Sequence, residues 1–416
     1  MTAMFAAQGA ADSGPAHGRE SPADDGQAAA KKCDNPGQGP KKPGQCPDPL
    51  RHMQWNLDEL QVEEAWAYAT GKGVIVAVVD SGIDPDHPEF AGRILWFPEA
   101  NFKDPEVTEG PSEGVSPFGL KSTHGTRNSG ILGAAAGNGE GIHGVAPGIM
   151  IMPVRVLGGD FDDNVESFDN SDAGSIAKMT AGIRFAMEHG AQVISMSWGL
   201  SIHREVHAAE RMEDLRRAVD EAWEQGVVLV AAAGNDAEPY CQGPASHPRV
   251  ICVSAVGRNG EASLGYSRDA LGASHIMAPS GTGTTDPCED QVVMTMPPWG
   301  SRSCGLPLGY TAASGTSIAT PHVSGIAALL VELGLTNAEI VDRILCTADD
   351  LGEPGRDPIY GYGRVNALRA VTNDRNEGCV SGAMGSAPVS VPDAPSMQPT
   401  RAITISNPIV GRERRM

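Results

Sequence analysis

The sequence predicts an α/β fold of three layers, in which helices cover both faces of a mostly parallel central sheet. Two observations lead to this prediction. Short apolar, β-branched segments alternate along the chain with segments of helical periodicity. The apolar segments lack the alternation of polar and apolar residues that a half-solvated sheet shows, so their strands are expected to be buried on both faces. Repeated strand–helix–strand units form parallel sheets.

Each predicted strand is a short run of apolar residues. The runs are VIVAVV at 74–79, IMIMPVRVL at 149–157, QVISMS at 192–197, VVLVAAA at 227–233 and RVICVSAV at 249–256. Helical periodicity falls between and after these runs, at 58–69, 172–189, 206–225, 317–333 and 337–346. In the segment 206–225, charged residues fill one face and apolar residues recur on the other, which is typical of a helix lying on a sheet.

One continuous domain is predicted between two segments of different composition. Residues 1–50 are rich in Gly, Pro, Ala and Lys and show no apolar periodicity, so we expect a disordered segment. Residues 51–373 form the predicted folded domain. Residues 374–416 are rich in Ser, Pro, Gly and Asn and are predicted to be a flexible tail.

The overall charge restricts the partners of this protein. The formal net charge is −21, from 52 acidic and 31 basic side chains. A nucleic-acid partner is therefore not expected, because nothing resembles a basic stripe for phosphates. No apolar run reaches the roughly 18 residues that a membrane span requires. We expect a monomer without a membrane span.

The eight cysteines indicate the compartment. They form no CxxC pair and do not cluster with histidines at zinc-site spacing, so disulfides and an extracellular location are expected. The alternative is a cytosolic protein with reduced thiols, and the first residues lack the charged start and long apolar stretch of a complete signal peptide. Sequence alone leaves the pairing open, although Cys33–Cys46 and Cys288–Cys304 are candidate bridges.

Two motifs carry an acid and a base. Asp80 ends the first apolar run and is followed by a Ser-Gly turn, where a carboxylate is costly to bury unless it has a partner such as an imidazole N–H. His124 opens a predicted helix of very small residues, which can pack close to the sheet. Taken singly, a capping Asp and an ordinary structural His explain these residues equally well.

Two further motifs carry a hydroxyl and an amide. Ser317 follows Gly-Thr and opens an apolar helix, so its hydroxyl lies near free backbone N–H groups that suit a developing anion. Asn235 follows a strand and a glycine, and its amide can project beyond the sheet edge. A serine N-cap and a turn asparagine are the alternatives.

Taken together, these motifs resemble the subtilisin (subtilase) family of serine peptidases over about residues 55–370. The order Asp, His, Asn, Ser along the chain carries the resemblance, and the Asp…His…Ser order is characteristic of this family. The resemblance implies a subtilisin-like fold and a serine endopeptidase. It implies that Asp80, His124 and Ser317 are catalytic and that Asn235 and the Ser317 N–H bind the oxyanion, with no cofactor in the chemistry.

The resemblance also implies a substrate-binding site for polypeptides. Substrate would lie along the segment Ser197, Trp198 and Gly199, and a side-chain pocket would be walled by this segment, by 231–234 and by the loop 241–245. The residues implied in substrate binding are Ser197, Trp198, Gly199, Ala232, Gly234, Gln242 and Ala245. Gln242 would lie at the pocket base, and cleavage after medium or large apolar residues is expected. A structural role is an equal alternative for Trp198.

A structural calcium ion is a further implication. Glu89 and Asn138 match ligand positions of a site in the family, although Glu replaces the usual Asp, and Gln54 is the only candidate for an N-terminal ligand. The acidic segment 160–172 is a second candidate for an ion site, and a solvated loop is the alternative. Other departures, Ile318 for Met, Ser324 for Ala and Arg127 for His, remove no catalytic part.

Three functions fit these observations. The first is broad extracellular proteolysis. The second is a dedicated processing peptidase, which would share the catalytic residues and cut one partner sequence. The third is a catalytically dead binding module, which is disfavoured because every catalytic residue is present.

Overall fold

The fold comes from a computed structural model that describes residues 48–102, 123–157, 173–200, 208–263, 265–268, 275–283 and 286–379. The strands within these ranges are β1 Ile75–Asp80, β2 Met150–Arg155, β3 Val193–Met196, β4 Val228–Ala232, β5 Val250–Val256, β6 His275–Pro279, β7 Val292–Thr295 and β8 Tyr310–Ala313. The α-helices are α1 Trp55–Glu59, α2 Val62–Ala65, α3 His124–Gly133, α4 Ala173–Glu188, α5 Ala208–Glu224, α6 Thr316–Glu332, α7 Asn337–Cys346 and α8 Ala367–Thr372.

Six strands form one sheet in the order β2-β1-β3-β4-β5-β6, and every neighbouring pair is parallel. All five predicted strands lie in it, which confirms the predicted parallel sheet. The sixth strand, β6, and the antiparallel pair β7–β8 were not predicted. Because all six strands run the same way, their carboxyl ends meet at one edge, where sites of such folds form.

Side chains of the strands point alternately into two cores, one on each face of the sheet. Val76 and Val78 of β1 share a core with Ala319 and Val323 of α6. The alternate residues of the same strand, Ala77 and Val79, belong to a second core with residues of α4 and α5, among them Met179, Ile183 and Val219. Both faces are therefore covered, as the missing polar alternation predicts, and the fold has the three expected layers.

The predicted helix at 58–69 is instead two short helices. Gln61 adopts a left-handed conformation with φ 53°, which ends α1 and starts α2 at Val62. Leu57, Leu60 and Val62 are all buried in the same core. Their spacing of three and then two residues does not fit one helical face, so the break lets all three reach the core.

The packed part extends slightly beyond both predicted domain boundaries. Asp48, in the segment predicted as disordered, accepts hydrogen bonds from the Gly137 and Gly139 N–H groups at 2.8 and 2.7 Å. Cys379, in the predicted tail, forms a disulfide with Cys346 of α7. We therefore propose 48–379 rather than 51–373 as the packed unit. Among the described helices, none combines the length and apolarity needed to cross a membrane.

Candidate active site

The Asp80 carboxylate and the His124 imidazole meet at the carboxyl edge of the sheet. Asp80 is the last residue of β1 and has no exposed surface, and His124 is the first residue of α3. His124 Nδ1 lies 2.8 Å from Asp80 Oδ1. A neutral imidazole that donates its Nδ1 proton here keeps Nε2 as a proton acceptor. This is the arrangement of a base and the carboxylate that orients it.

The remaining oxygen of Asp80 is held by Asn128, a residue that the sequence analysis did not single out. Asn128 Nδ2 donates to Asp80 Oδ2 at 2.9 Å, and the Ser81 N–H donates to Asp80 Oδ1 at 2.6 Å. Asn128 follows His124 by one helical turn, so both side chains lie on the face of α3 that meets β1. This spacing was the signal in the sequence that could have identified it.

The start of α3 approaches β1 closely because residue 125 is a glycine. A Cβ atom at Gly125 would lie 3.1 Å from the carbonyl carbon of Gly82 and 3.3 Å from Asp80 Cβ. Ser81 Oγ accepts a hydrogen bond from the Gly125 N–H at 3.0 Å. The small residues of this helix thus hold His124 against the strand end, as predicted.

Ser317 lies in the first turn of α6, and its surroundings fix where that helix begins. The N-cap residue of this helix, Gly315, has a φ of 146°, a backbone conformation that residues other than glycine rarely adopt. Ser280, just after β6, donates to the Gly315 carbonyl and accepts from its N–H, both at 2.7 Å. N–H groups in a first helical turn have no partner within the helix, so the Ser317 N–H can serve a bound anion.

Asn235 lies beside this helix start, and its amide is oriented by one neighbour. Asn235 Oδ1 accepts from the Thr316 N–H at 3.1 Å and from Thr316 Oγ1 at 2.9 Å. Since a backbone N–H can only donate, the oxygen of the amide must face Thr316. Nδ2 is then the end that can donate to a substrate oxygen, next to Ser317.

The residues expected to bind substrate come from the exits of β3 and β4 and from the loop 241–245. Ser197, Ala232 and Ala245 are buried. The Trp198 indole is also buried and donates its Nε1–H to the Val79 carbonyl at 2.8 Å. Its side chain therefore anchors the segment to β1, which favours the structural alternative for this side chain.

Gln242 occupies the space between the two glycines of this region. A Cβ atom at Gly234 would lie 2.5 Å from Gln242 Cδ, and one at Gly199 would lie 3.1 Å from Gln242 Cβ. Gln242 Nε2 donates to the Asp236 carboxylate. The glutamine is only 4% exposed, so its side chain fills the space between Gly199 and Gly234.

Glu89 and Asn138, the expected calcium ligands, are brought together but bind each other. Glu89 is fully buried, and its Oε2 accepts from Asn138 Nδ2 at 3.0 Å. Its Oε1 accepts from the Ile142 N–H at 2.8 Å and the Tyr310 hydroxyl at 3.1 Å. Asn138 Oδ1 is taken by the Glu140 N–H at 2.9 Å. Burial raises the pKa of Glu89 to about 7.

This donor set does not fit a calcium ion, which requires oxygen lone pairs directed at a common point. The Glu89 carboxylate faces hydrogen atoms of its neighbours instead. Gln54, the other candidate ligand, is paired with the backbone of His143 through two hydrogen bonds of 2.8 Å. In the part of the chain that the structure describes, no group of three or more His, Cys, Asp or Glu could hold a metal. The acidic segment 160–172 lies outside the described residues, so its role in ion binding stays a prediction.

The cysteines at described positions are all paired. The disulfide between Cys288 and Cys304 joins Cα atoms 5.4 Å apart and confirms the predicted bridge. The other two, which were not predicted, are Cys241–Cys252 and Cys346–Cys379. Cys33 and Cys46 lie outside the described residues, so their bridge stays a prediction.

Comparison with known proteins extends the likeness over most of the chain. Residues 71–363 match the family described as Peptidase_S8, Subtilase family. Thermitase of Thermoactinomyces vulgaris is 33% identical over 76% of this chain and 95% of its own length. A subtilisin of Bacillus pumilus is 33% identical over 72% of this chain and 92% of its own. Among solved structures, a protease from Pseudoalteromonas arctica is 28% identical with a TM-score of 0.61, covering 79% of this chain and 99% of its own.

Proposed function

The chain belongs to the subtilase family of serine peptidases, and we propose that Asp80, His124 and Ser317 are its catalytic residues. The observation that carries this proposal is the 2.8 Å contact between His124 Nδ1 and Asp80 Oδ1 at the sheet edge where α6 also begins. It sets the imidazole to accept a proton at Nε2. The enzyme is a serine endopeptidase, and subtilases need no cofactor for catalysis.

The proposed reaction proceeds through an acyl-enzyme. Ser317 Oγ attacks the carbonyl carbon of the scissile peptide bond while His124 Nε2 takes the hydroxyl proton. The buried Asp80 carboxylate stabilises the resulting imidazolium and keeps its orientation. When the C–N bond breaks, His124 passes the proton to the leaving amine. Water then attacks the ester in the reverse sequence and releases Ser317.

The negative oxygen formed during the attack needs donors. In this proposal it accepts hydrogen bonds from Asn235 Nδ2 and from the Ser317 N–H. The anchoring of Asn235 Oδ1 by Thr316 supports this role, since it leaves Nδ2 as the end of the amide that can donate to a substrate oxygen. Donors fixed before the reaction stabilise the transition state without a reorganisation cost.

We further propose that the protein acts on polypeptides outside the cell. Three disulfides within the described residues support an oxidising compartment, where such bonds persist. The net charge of −21 supports solubility and disfavours acidic polymers as partners.

The test is the variant Ser317→Ala. It should lose peptide hydrolysis and labelling by serine-directed phosphonates, because both reactions require the Oγ nucleophile. Its melting temperature should stay close to that of the wild type, since the change removes one oxygen atom.

Ser324→Ala provides the matched control. Ser324 is a buried serine on the same helix that donates to Ser195 Oγ at 2.9 Å, and its variant should keep both hydrolysis and labelling. Hydrolysis by Ser317→Ala at near wild-type turnover would reject the assignment of the nucleophile.

A further inference from the structure

The substrate side of the site contains a gap bounded by two strand exits. Strands β3 and β4 are paired in parallel, with Met196 opposite Ala231, and both run toward the edge that carries Ser317. Just beyond them, Gly199 and Gly234 face the same side chain, that of Gln242. Two glycines opposite each other leave room for one side chain between the exits, and Gln242 takes that room.

This gap is adjacent to the reacting atoms. The Gly234 N–H donates to Thr316 Oγ1 at 3.2 Å, and Thr316 directly precedes Ser317. A substrate carbonyl bound at Asn235 belongs to the residue whose bond is cut, and the first carbon of that residue's side chain lies two bonds from the carbonyl carbon, within about 3 Å. That side chain must therefore enter the gap beside Gly234 or remain outside the cleft.

Gln242 is held in the gap from several directions. Its Nε2 donates to Asp236, its N–H donates to the Ala233 carbonyl at 2.9 Å, and its carbonyl accepts from the Ser246 N–H at 3.0 Å. The residue before it, Cys241, is buried and bonded to Cys252 of β5. Rotating the glutamine side chain outward would break its hydrogen bond to Asp236. The hydrogen-bonded backbone at Gln242 prevents the residue from moving out of the gap as a whole.

We propose that Gln242, held by Asp236, closes the primary pocket to large side chains, so the enzyme cleaves after small residues such as Gly, Ala and Ser. This inference rests on the proposed function of Ser317 and Asn235. It differs from the cleavage after medium or large apolar residues expected from sequence. A large ring cannot share the gap with a buried glutamine, whereas a methyl or hydroxymethyl group needs little of it.

The experiment compares two peptides that differ only in Ala or Phe at the residue preceding the cut. We expect kcat/KM of the wild type to favour Ala at least about tenfold, the lower range for a pocket that misfits by a few carbon atoms. Gln242→Gly should raise the Phe-to-Ala ratio at least about tenfold. Asp236→Ala should raise it less, because the glutamine stays but loses its tether.

The matched control is Gln192→Ala at the opposite edge of the sheet. Gln192 also supports the backbone through its side chain, accepting from the Ile75 N–H at 3.2 Å, but lies far along the strand from the cleft. Its Phe-to-Ala ratio should equal that of the wild type. Phosphonate labelling of each variant shows that its active site is intact.

The outcomes separate the two proposals. A wild type that prefers Phe, or a labelled Gln242→Gly variant with an unchanged ratio, overturns the role of Gln242 and leaves the nucleophile assignment in place. If Gln242→Gly does not fold, Asp236→Ala carries the same comparison. A wild type that neither cleaves any peptide nor labels at Ser317 overturns the proposed function itself.

Discussion

At the scale of single residues, the Asp80 carboxylate shows how a buried charge is made tolerable. Its two oxygens accept from His124, Asn128 and the Ser81 N–H, so the carboxylate is desolvated but not unpaired. Hydrogen bonds to a charged group contribute more than those between neutral groups. Asn128 therefore acts as a positioning residue, because it fixes the carboxylate that in turn orients the imidazole.

Asn128→Ala should lower kcat by roughly 10- to 100-fold with little change in KM, which corresponds to one lost charged hydrogen bond of about 1.5–3 kcal/mol. Steady-state kinetics across pH provides the check, and the pH–rate profile should change because Asp80 loses a donor. Asn128→Gln, which keeps the amide, should recover part of the rate. A rise in KM alone, or an unchanged pH profile, would assign Asn128 a purely structural role.

At the scale of elements, the bridge between Cys288 and Cys304 encloses β7 and the loop that leads to β8. The antiparallel pair β7–β8 packs next to α3 and brings the chain to Gly315 and Ser317. The disulfide therefore restrains the segment that leads to Ser317, the proposed nucleophile. Loop closure in the unfolded state is its main source of stability in the chain-entropy picture.

Replacing both Cys288 and Cys304 by Ser should lower the free energy of unfolding by about 3 kcal/mol, the amount expected for a loop of this length. Thermal unfolding followed by circular dichroism measures the change. Treating the wild type with a mild reductant that opens this bridge should produce the same loss. Equal melting temperatures for the two proteins would mean that the bridge does not form or contributes nothing.

His275, the first residue of β6, makes the stability of the fold depend on pH. It is fully buried, and burial lowers its pKa from 6.5 to about 3. The unfolded chain then binds a proton that the folded protein excludes, so the free energy of unfolding falls as pH drops through this window. At pH about 4.5, this histidine alone should lower the free energy of unfolding by about 3 kcal/mol relative to neutral pH.

His275→Leu should flatten the pH dependence of the melting temperature between about pH 6.5 and 4.5. At pH 8 the histidine is neutral in both states, so the difference between the two proteins there isolates the packing effect of the substitution. If the variant keeps the full acid slope, other groups such as the buried His322, whose pKa burial also lowers to about 4, dominate it.

At the scale of the whole molecule, the sheet and the helix starts could be predicted from sequence. The side chains that pack into the site from distant parts of the chain could not. Asp80, His124 and Ser317 each follow an apolar run or open a periodic helix, so local pattern places them at element ends. Gln242 is different, because its position depends on Gly199, at the exit of a strand distant in sequence, as well as on the nearby Gly234. Likewise, the sequence alone predicts Glu89 as a cation ligand, and only the fold brings Tyr310, more than 200 residues later, close enough to donate to it.

The packed ends of the domain provide a test at the same scale. A chain ending at 373 should melt at a lower temperature than one ending at 379, because it lacks the Cys346–Cys379 disulfide and the 2.6 Å ion pair between Arg375 and Asp342. A bridge that closes 33 residues should contribute about 3–4 kcal/mol. Indistinguishable melting curves would support the shorter boundary.

A pocket closed by Gln242 also affects how copies of the enzyme cleave one another. The sequence on both sides of the packed unit is rich in Ala, Gly and Ser, the residues after which such a pocket would cut. Each copy is then a substrate for its neighbours, and trimming should stop where the backbone is held, near Asp48 and Cys379. Concentrated enzyme would shorten to a core of uniform mass on storage, whereas Ser317→Ala would keep its full length.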